Sequence, residues 1–416
     1  MINKNDSIVL GFSVGHDRGA TLMVNGKIIV GITEERLSRI KHDAEDSIPL
    51  QSMNYCVGYA NINFKDVDLF VYNITVDKNN VIEQFETLTG LKAEEKLVFI
   101  PHHMAHAYSS FGASGFKEAA IVVADAMGSV WNDVTPIKDF YPDINKPEPP
   151  EGQQWAEGYT IFHFKDNSIT EVYKKWIQNP SAFFGEGVET TLGGIYGKGS
   201  LQLIYDPNSN SWPAGKLMGL ASYANQDFVK SQKPWAKMTD DDLSIEAATL
   251  HGWVNWRSDF QAKANVAGIY QHEQEQSSLH LAKMAKKLTG SSNICVAGGS
   301  FLNCNSNELI IKSGLFEKCY FIPSADDSGI PLGCAYFGSM LLSKMEGKQF
   351  EYSEEWMSPY HGRVYNDELI ELAIDSISNL AEFKKFDNFD ELTDEVSELL
   401  ANNKAGISFL YVAVSK

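Results

Sequence analysis

Two histidines four residues apart are the side chains in this sequence most suited to chemistry. The segment from residue 101 to 106 reads PHHMAH, and proline is favoured at the first position of a helix, where its missing N–H costs nothing. On a helix His102 and His106 share one face while His103 points elsewhere, so the pair could hold one metal ion. A metal needs a third ligand, and an ordinary helix start with polar histidines is the alternative.

Two later segments each lie between a predicted strand and a predicted helix. Gly298 and Gly299 would let backbone N–H groups approach a nucleotide at a helix N-terminus, although two glycines also make a simple tight turn. Asp326 and Asp327 could cap the next helix. Alternatively, one of these carboxylates completes a metal shell, because open α/β sheets collect ligands at that edge.

Two charged segments near the start are ordinary when taken alone. His16 and Asp17 lie in the first predicted hairpin turn, where aspartate is common. The charged run from residue 34 to 42 follows a strand and is typical of a solvated surface.

Strands and helices alternate along the chain, which indicates the α/β class. Three antiparallel strands open the fold, with Asn25-Gly26 as the hairpin signal. The predicted strands are Ser7–Ser13, Ala20–Val24, Lys27–Thr33, Val67–Ile74, Leu97–Ile100, Ala119–Ala124, Tyr159–Phe164, Ile169–Trp176, Asn293–Ala297, Lys318–Ile322 and Ala405–Val412. The predicted helices are Pro49–Ala60, Val81–Leu88, Pro101–Ser110, Ser181–Ile204, Gln274–Leu288, Phe301–Ser313, one from Ile330, Asp367–Ile377 and Phe389–Leu400.

Composition narrows the classes of function. The 416 residues carry a formal charge of −19 and 44% hydrophobic residues, as expected of a folded chain of two or three domains. The absence of a basic run argues against nucleic acid, and no apolar run reaches the ~18 residues that span a membrane. Five cysteines without C-x-x-C spacing and a start without a visible secretory signal predict a reducing cytoplasm.

The periodicity lapses between Gly347 and Arg363, which predicts a boundary between residues 1–350 and 351–416. The second part is too short to bury much core by itself. We therefore expect it to be the opening of a larger domain.

Five segments in order resemble the NodU/CmcH carbamoyltransferase family, which moves carbamoyl groups onto hydroxyls of nodulation factors, cephems and aminoglycosides. They are GFSVGHDRGATLMVNGKIIVGITEERLSRIKH, PHHMAHAYSSFGASGFKEAAIVVADAMG, GKLMGLASYA, NICVAGGSFLNCNSN and PSADDSGIPLGCAYF, spread over residues 7 to 340.

The resemblance implies a two-lobed domain of the actin/sugar-kinase/heat-shock-chaperone (ASKHA) type, similar to the tRNA threonylcarbamoyl-transfer subunit. It also implies a metal, usually iron as Fe²⁺, and a role for each matching residue. The implied metal ligands are His102, His106 and Asp327; the residues beside the carbamoyl group are His16 and Asp17; the nucleotide-side residues are Asp125, Gly128, Gly298, Gly299, Asn303 and Asn307; the acceptor-side residue is Lys41.

The implied activity is transfer of a carbamoyl group from carbamoyl-adenylate, made from carbamoyl phosphate and ATP, to a hydroxyl of a small-molecule or sugar acceptor. His16 would be the general base and Asp17 would orient it. The resemblance makes a homodimer reasonable, and the oligomeric state stays open. The arginine-bearing signature of the family's C-terminal adenylating domain is not found here, so we expect either a partial sequence or a separate polypeptide that supplies the adenylate.

Two other functions stay open at this point. One is an ATP-dependent sugar-kinase-like enzyme, since the fold serves those too, but such an enzyme needs a catalytic acid and Mg²⁺ rather than imidazole ligands. The other is a catalytically incomplete remnant that binds nucleotide and metal.

Overall fold

The computed structural model describes residues 2–3, 5–74, 78–135, 137, 146–178, 189–204, 213–246, 259–352 and 358–402. The chain divides into two units, Met1–Gly362 and Arg363–Lys416. Residues just past position 350 belong to the first unit, because Phe350 and Tyr352 pack into its core and the N–H of Gly31 donates to the carbonyl of His361 at 2.9 Å.

The helices and strands lie close to the ranges that periodicity predicts. The strands are β1 Ile8–Ser13, β2 Gly19–Val24, β3 Lys27–Thr33, β4 Leu69–Asn73, β5 Leu97–Phe99, β6 Ala119–Ala124, β7 Trp155–Lys165, β8 Ser168–Gln178, β9 Glu189–Thr190, β10 Ala236–Thr239, β11 Asp242–Glu246, β12 Asn293–Ala297 and β13 Lys318–Phe321. The helices of the first unit are α1 Glu34–Ser38, α2 Leu50–Tyr59, α3 Lys78–Thr89, α4 Ala93–Lys96, α5 His102–Ser114, α6 Leu192–Leu203, α7 Ala214–Ala221, α8 Gln226–Lys230, α9 Phe260–Thr289, α10 Cys304–Lys312 and α11 Ile330–Met345. The second unit contributes α12 Asp367–Ser376 and α13 Phe389–Ala401.

Two five-stranded sheets in the first unit repeat one strand order. In the first sheet the order is β3-β2-β1-β4-β5, with β1 to β3 antiparallel and β4 parallel to β1. In the second sheet the order is β13-β12-β6-β7-β8, with β6 to β8 antiparallel and β12 parallel to β6. This duplicated α/β sheet confirms the two-lobed ASKHA fold class that the resemblance implies.

The central strands are apolar on both faces because helices cover both sides. Every residue of β1 and of β6 is buried, as a continuous apolar run of this kind predicts. Helix α11 packs on β1, helix α5 packs on β6 and β12, and the two helices pack on each other. The layer between the sheets is therefore a pair of helices.

Glycine permits the two central helices to approach closely. A Cβ atom on Gly333 of α11 would lie 1.8 Å from the carbonyl oxygen of Ala105 in α5, and one on Gly11 of β1 would lie 2.2 Å from the carbonyl of Pro331. Backbone atoms cannot yield to such contacts. The crossing thus sets the position of the α5 histidines relative to the residues that precede α11.

Several elements differ from the sequence predictions. Helix α9 begins at Phe260, earlier than expected, and the helix predicted over 181–204 is described only from α6, while residues 181–188 lie outside the described part. The small sheet β10-β11-β9 was not anticipated. The strand predicted over 405–412 also lies outside the described residues. No helix in the described ranges is both long and apolar enough to cross a membrane.

We expect Gly333→Ala to lower the free energy of unfolding by about 3 kcal/mol, the upper part of the range for overpacked cores. Chemical denaturation of the full chain measures this. Gly58→Ala is the matched control: Gly58 lies in α2 with no atom within 4 Å of its Cβ position. That change should be neutral or stabilising by about 0.5–1 kcal/mol. Equal effects of the two variants would contradict the proposed crossing.

Candidate functional site

Four ligand-type atoms from three parts of the chain converge between the two sheets. They belong to His102 and His106 of α5, to Asp125 directly after β6, and to Asp327 just before α11. The two Nε2 atoms lie 3.1 Å apart, and each lies 3.2 Å from Asp125 Oδ2 and 3.3 Å from Asp327 Oδ1. The two histidines are completely buried and the aspartate side chains are 14% and 12% exposed.

These separations match the spacing of ligands around a metal ion. Metal–ligand bonds of about 2.0–2.2 Å place neighbouring ligands about 3.0–3.4 Å apart in tetrahedral or octahedral geometry. Two imidazole nitrogens and two carboxylate oxygens form a donor set that suits first-row divalent metals. The residues present therefore fit a metal of this class.

Neighbouring groups already orient two of the donors. Asn73, at the end of β4, donates through Nδ2 to the carbonyl of Ile100 at 2.8 Å, so its Oδ1 accepts from His102 Nδ1 at 2.9 Å. Nδ1 of His102 is therefore the donor to Asn73, and a neutral His102 would present the lone pair of Nε2 to the cluster. Asp125 Oδ1 accepts from the N–H groups of Ala126 at 2.7 Å and Gly299 at 3.2 Å, which leaves Oδ2 for a metal.

The cluster concentrates negative charge where solvent is excluded. Burial lowers the pKa of His102, but Asp327 and Asp125 outweigh burial and raise it to about 10. Burial raises the pKa of Asp327, yet His102 and His16 hold it well below its usual range. A cation at this position, whether protons on the imidazoles or a metal, compensates the charge of the two buried carboxylates.

His16 and Asp17 lie beside this cluster, in the turn between β1 and β2. His16 Nε2 is 3.3 Å from Asp327 Oδ2, and its Nδ1 is 2.9 Å from Asp17 Oδ2. The other carboxylate oxygen of Asp17 is 2.6 Å from Nδ1 of His42. The charge of Asp327 and the hydrogen bond to Asp17 raise the pKa of His16 to about 10.

The His42 segment is tied to the His16 turn by a second, buried set of contacts. Asp17 and His42 both adopt left-handed φ angles, 56° and 61°, and the N–H of Asp17 donates to the carbonyl of His42 at 2.9 Å. Next to them, Arg18 Nη2 lies 2.6 Å from Asp43 and 3.0 Å from Glu45, with its side chain 6% exposed. Lys41 is exposed on the same segment.

The residues implied on the nucleotide side have different structural roles. Packing requires glycine at positions 298 and 128. Gly298 has a φ of 97°, and a Cβ atom there would lie 2.2 Å from the carbonyl oxygen of Ala124. A Cβ atom on Gly128 would lie 2.8 Å from the side chain of His103. Asn303 caps α10 by accepting from the N–H of Ser306 at 3.1 Å. Gly299 instead faces Asp125, because a Cβ there would lie 3.1 Å from Asp125 Oδ1.

Asn307 has an unused polar atom. Its Nδ2 donates to the carbonyl of Phe301 at 2.8 Å, whereas its Oδ1 is buried with no hydrogen-bond partner among the described residues. Asn303 differs, since its amide exchanges hydrogen bonds with Gln271 at 3.0 and 2.9 Å.

Sequence reasoning missed two members of the site. The resemblance implies that Asp125 lies on the nucleotide side, and the structure places it among the metal-type donors. Asp125 directly follows β6, which runs parallel to β12 and ends at the same sheet edge. His42 had no signal, because its contact with Asp17 joins residues 25 positions apart. Asp326 is a helix cap, one of the two roles that the sequence left open, because its side chain accepts from the N–H of Ser328 at 3.2 Å.

The fold and the site define an α/β protein of the ASKHA class with a two-histidine, two-aspartate cluster between its repeated sheets. Residues 8–87 and 72–336 match the family described as Carbamoyltransferase N-terminus. The chain belongs to this family.

Relatives and solved structures agree with this placement. The chain is 26% identical to nodulation protein NolNO of Sinorhizobium fredii over 393 residues, covering 85% of this chain and 51% of that protein. It is 26% identical to nodulation protein NolO of Bradyrhizobium diazoefficiens over 311 residues, covering 72% and 48%. HypF of T. kodakarensis shares the fold with a TM-score of 0.53 and 12% identity, over 84% of this chain and 49% of that one. The chain thus spans about half the length of the relatives it matches.

We expect Arg18→Met to lower the free energy of unfolding by about 3–5 kcal/mol, because it leaves the buried Asp43 carboxylate without its cation. Arg36→Met is the control, since Arg36 is 67% exposed and its pair with Glu35 should contribute less than about 1 kcal/mol. Urea denaturation of both variants checks the difference. A decrease of less than about 1 kcal/mol in the free energy of unfolding of Arg18→Met would contradict a stabilising role of the buried Arg18–Asp43 ion pair.

Proposed function

We propose that this chain carries the transfer site of a carbamoyltransferase: it binds a divalent metal and moves a carbamoyl group from carbamoyl-adenylate to a hydroxyl. The observation that carries the proposal is the four-donor cluster with His16 directly beside it, in a chain of the carbamoyltransferase N-terminal family. Membership of the family supports carbamoyl as the group transferred. The cluster supports a phosphate-bearing carbamoyl donor, because its phosphate charge needs a cation.

His102, His106, Asp125 and Asp327 would hold the metal. Iron as Fe²⁺ is the family's usual metal, and the same donors suit Zn²⁺ or Mn²⁺. When bound, the metal supplies positive charge and open positions for phosphate oxygens of the anhydride.

His16 would take the proton of the acceptor hydroxyl. Its Nδ1 is bound by Asp17, which fixes the ring and leaves Nε2 as the atom that exchanges protons. Because Asp327 is the largest cause of the raised pKa of His16, compensation of that carboxylate's charge should bring the pKa of His16 down. The hydroxyl oxygen then attacks the carbamoyl carbon, the bond from that carbon to the phosphate oxygen breaks, and AMP leaves.

The nucleotide and the acceptor would enter from different sides of the cluster. Asn307 Oδ1, the Asp125 hairpin and Gly299 form the nucleotide side. Lys41 and His42 form the acceptor side. With a formal charge of −19, the protein favours a neutral or cationic acceptor such as a sugar or amino sugar. Carbamoyl-adenylate would come from an adenylating domain or a separate polypeptide. The protein would assemble as a homodimer.

We expect the full chain, given synthetic carbamoyl-adenylate, Fe²⁺ and a panel of sugar and aminoglycoside hydroxyl acceptors, to release AMP in step with carbamoylated product. His16→Ala should lower the rate by about 100-fold or more, the usual contribution of a general base. His163→Ala is the control, because His163 lies on β7, pairs with Glu118 and is not a member of the cluster. In a parallel assay with ATP and Mg²⁺ in place of carbamoyl-adenylate and Fe²⁺, phosphorylation of an acceptor, together with no carbamoyl transfer in the first assay, would support the kinase alternative instead.

The metal assignment is tested separately from activity. Purified His106→Ala and Asp327→Asn proteins should lose stoichiometric metal, measured by mass spectrometry of metal content after anaerobic Fe²⁺ loading. Asp326→Asn is the neighbouring control and should keep it, because Asp326 caps Ser328 and is not a member of the cluster. Full metal content in the His106→Ala protein would rule the site out.

A further inference from the structure

The helix that carries both histidines begins without a side-chain cap of its own. Its N-cap residue is Pro101, which has no side-chain acceptor. The first N–H groups of α5 are bound from elsewhere in the chain instead: that of His102 donates to Ser129 Oγ at 2.9 Å, and that of His103 donates to Glu157 Oε2 at 3.2 Å. A carboxylate at this end of a helix also interacts favourably with the helix dipole.

The same carboxylate binds the segment that carries Asp125. Glu157 Oε2 accepts from the N–H of Ser129 at 3.1 Å, and the backbone of Glu157 exchanges hydrogen bonds with Gly128 and Ser129 at 2.9 and 3.0 Å. Ser129 is four residues after Asp125. One side chain on β7 is thus bonded to the start of α5 and to the loop after β6, the two segments that supply three of the four donors.

Glu157 is held by a buried cation. Lys174 Nζ on β8 lies 2.6 Å from Glu157 Oε1 and 2.9 Å from Glu171 Oε2, with the side chains of Lys174 and Glu157 1% and 0% exposed. Burial raises the pKa of Glu157, but the charge of Lys174 outweighs burial and lowers it to about 2. Replacing a buried ion pair by well-packed apolar residues often leaves the stability of a protein unchanged. A contribution to stability is therefore a weak explanation for the Glu157–Lys174 pair.

The imidazole of His103 bonds to a different residue of β7, since its Nδ1 lies 2.7 Å from Thr160 Oγ1. The carboxylate that accepts from the start of α5 is that of Glu157.

We infer that Glu157, fixed by Lys174, is a positioning residue of the metal site. It aligns the first turn of α5 with the Asp125 loop, and its charge offsets the positive end of the helix, which would otherwise oppose a bound cation. This inference rests on the metal site of the proposed function. It adds two buried residues from β7 and β8 that touch none of the four donors.

The test is Co²⁺ titration of the full-length Glu157→Gln protein, followed by visible absorption. Glutamine keeps the shape and an oxygen acceptor but removes the charge. We expect the Co²⁺ dissociation constant to rise by about 10- to 100-fold, the usual effect of losing an outer-shell partner, with a changed d–d spectrum. The matched control is Glu171→Gln, which removes a carboxylate paired with Lys174 while Ser129 and Glu157 remain the acceptors for the first N–H groups of α5. Its dissociation constant should stay within about threefold of wild type.

The outcomes separate this inference from the proposed function. If wild type binds no Co²⁺, or if His106→Ala binds it equally well, the metal site itself is wrong. If wild type binds through His106 and Glu157→Gln matches it in affinity and spectrum, only the positioning role is overturned. Should Glu157→Gln fail to fold by circular dichroism, Glu157→Asp decides: it keeps the charge but draws the carboxylate back from the N–H groups of His103 and Ser129. An unchanged affinity and spectrum in that variant would overturn the inference.

Discussion

Two aspartate carboxylates are buried beside two imidazoles where the two sheets meet, and this constraint organises the rest of the molecule. A buried carboxylate without a compensating cation is strongly destabilising. Asp125 and Asp327 are compensated only if the imidazoles are protonated or a metal replaces those protons. The hydrogen bonds of Asn73 and Gly299 orient His102 and Asp125 so that Nε2 and Oδ2 face the same point.

The repeated fold explains why the donors meet there. His16 follows β1, Asn73 ends β4, Asp125 follows β6 and the two adjacent glycines follow β12, so the groups come from the carboxyl ends of parallel strands in both sheets. Ligands of open α/β sheets gather at these ends. The crossing of α5 and α11 at Gly333 then brings the α5 histidines and Asp327 into the same space.

Two buried ion pairs hold segments that neighbour the cluster. Arg18 and Asp43 fix the segment that carries His42 and Lys41 against the His16 turn, whereas Lys174 and Glu157 fix the start of α5 against the Asp125 loop. Each pair lies next to a functional segment and leaves the cluster itself untouched. Because desolvated charges need close, well-aligned partners, such pairs are suited to hold loops in one arrangement.

The sequence by itself determined the elements and much of the site. Periodicity predicted β3, β6 and β12 to the residue, and the i, i+4 spacing placed His102 and His106 on one helix face, because both features depend on neighbours a few residues away. The ordered motifs added the family, the fold class and Asp327. Only the tertiary structure decided that Asp125 joins the donors, that His42 pairs with Asp17, and that Glu157 lies under the start of α5. These contacts join residues 19 to 54 positions apart, and they depend on sheet order and helix crossing, which no local pattern encodes.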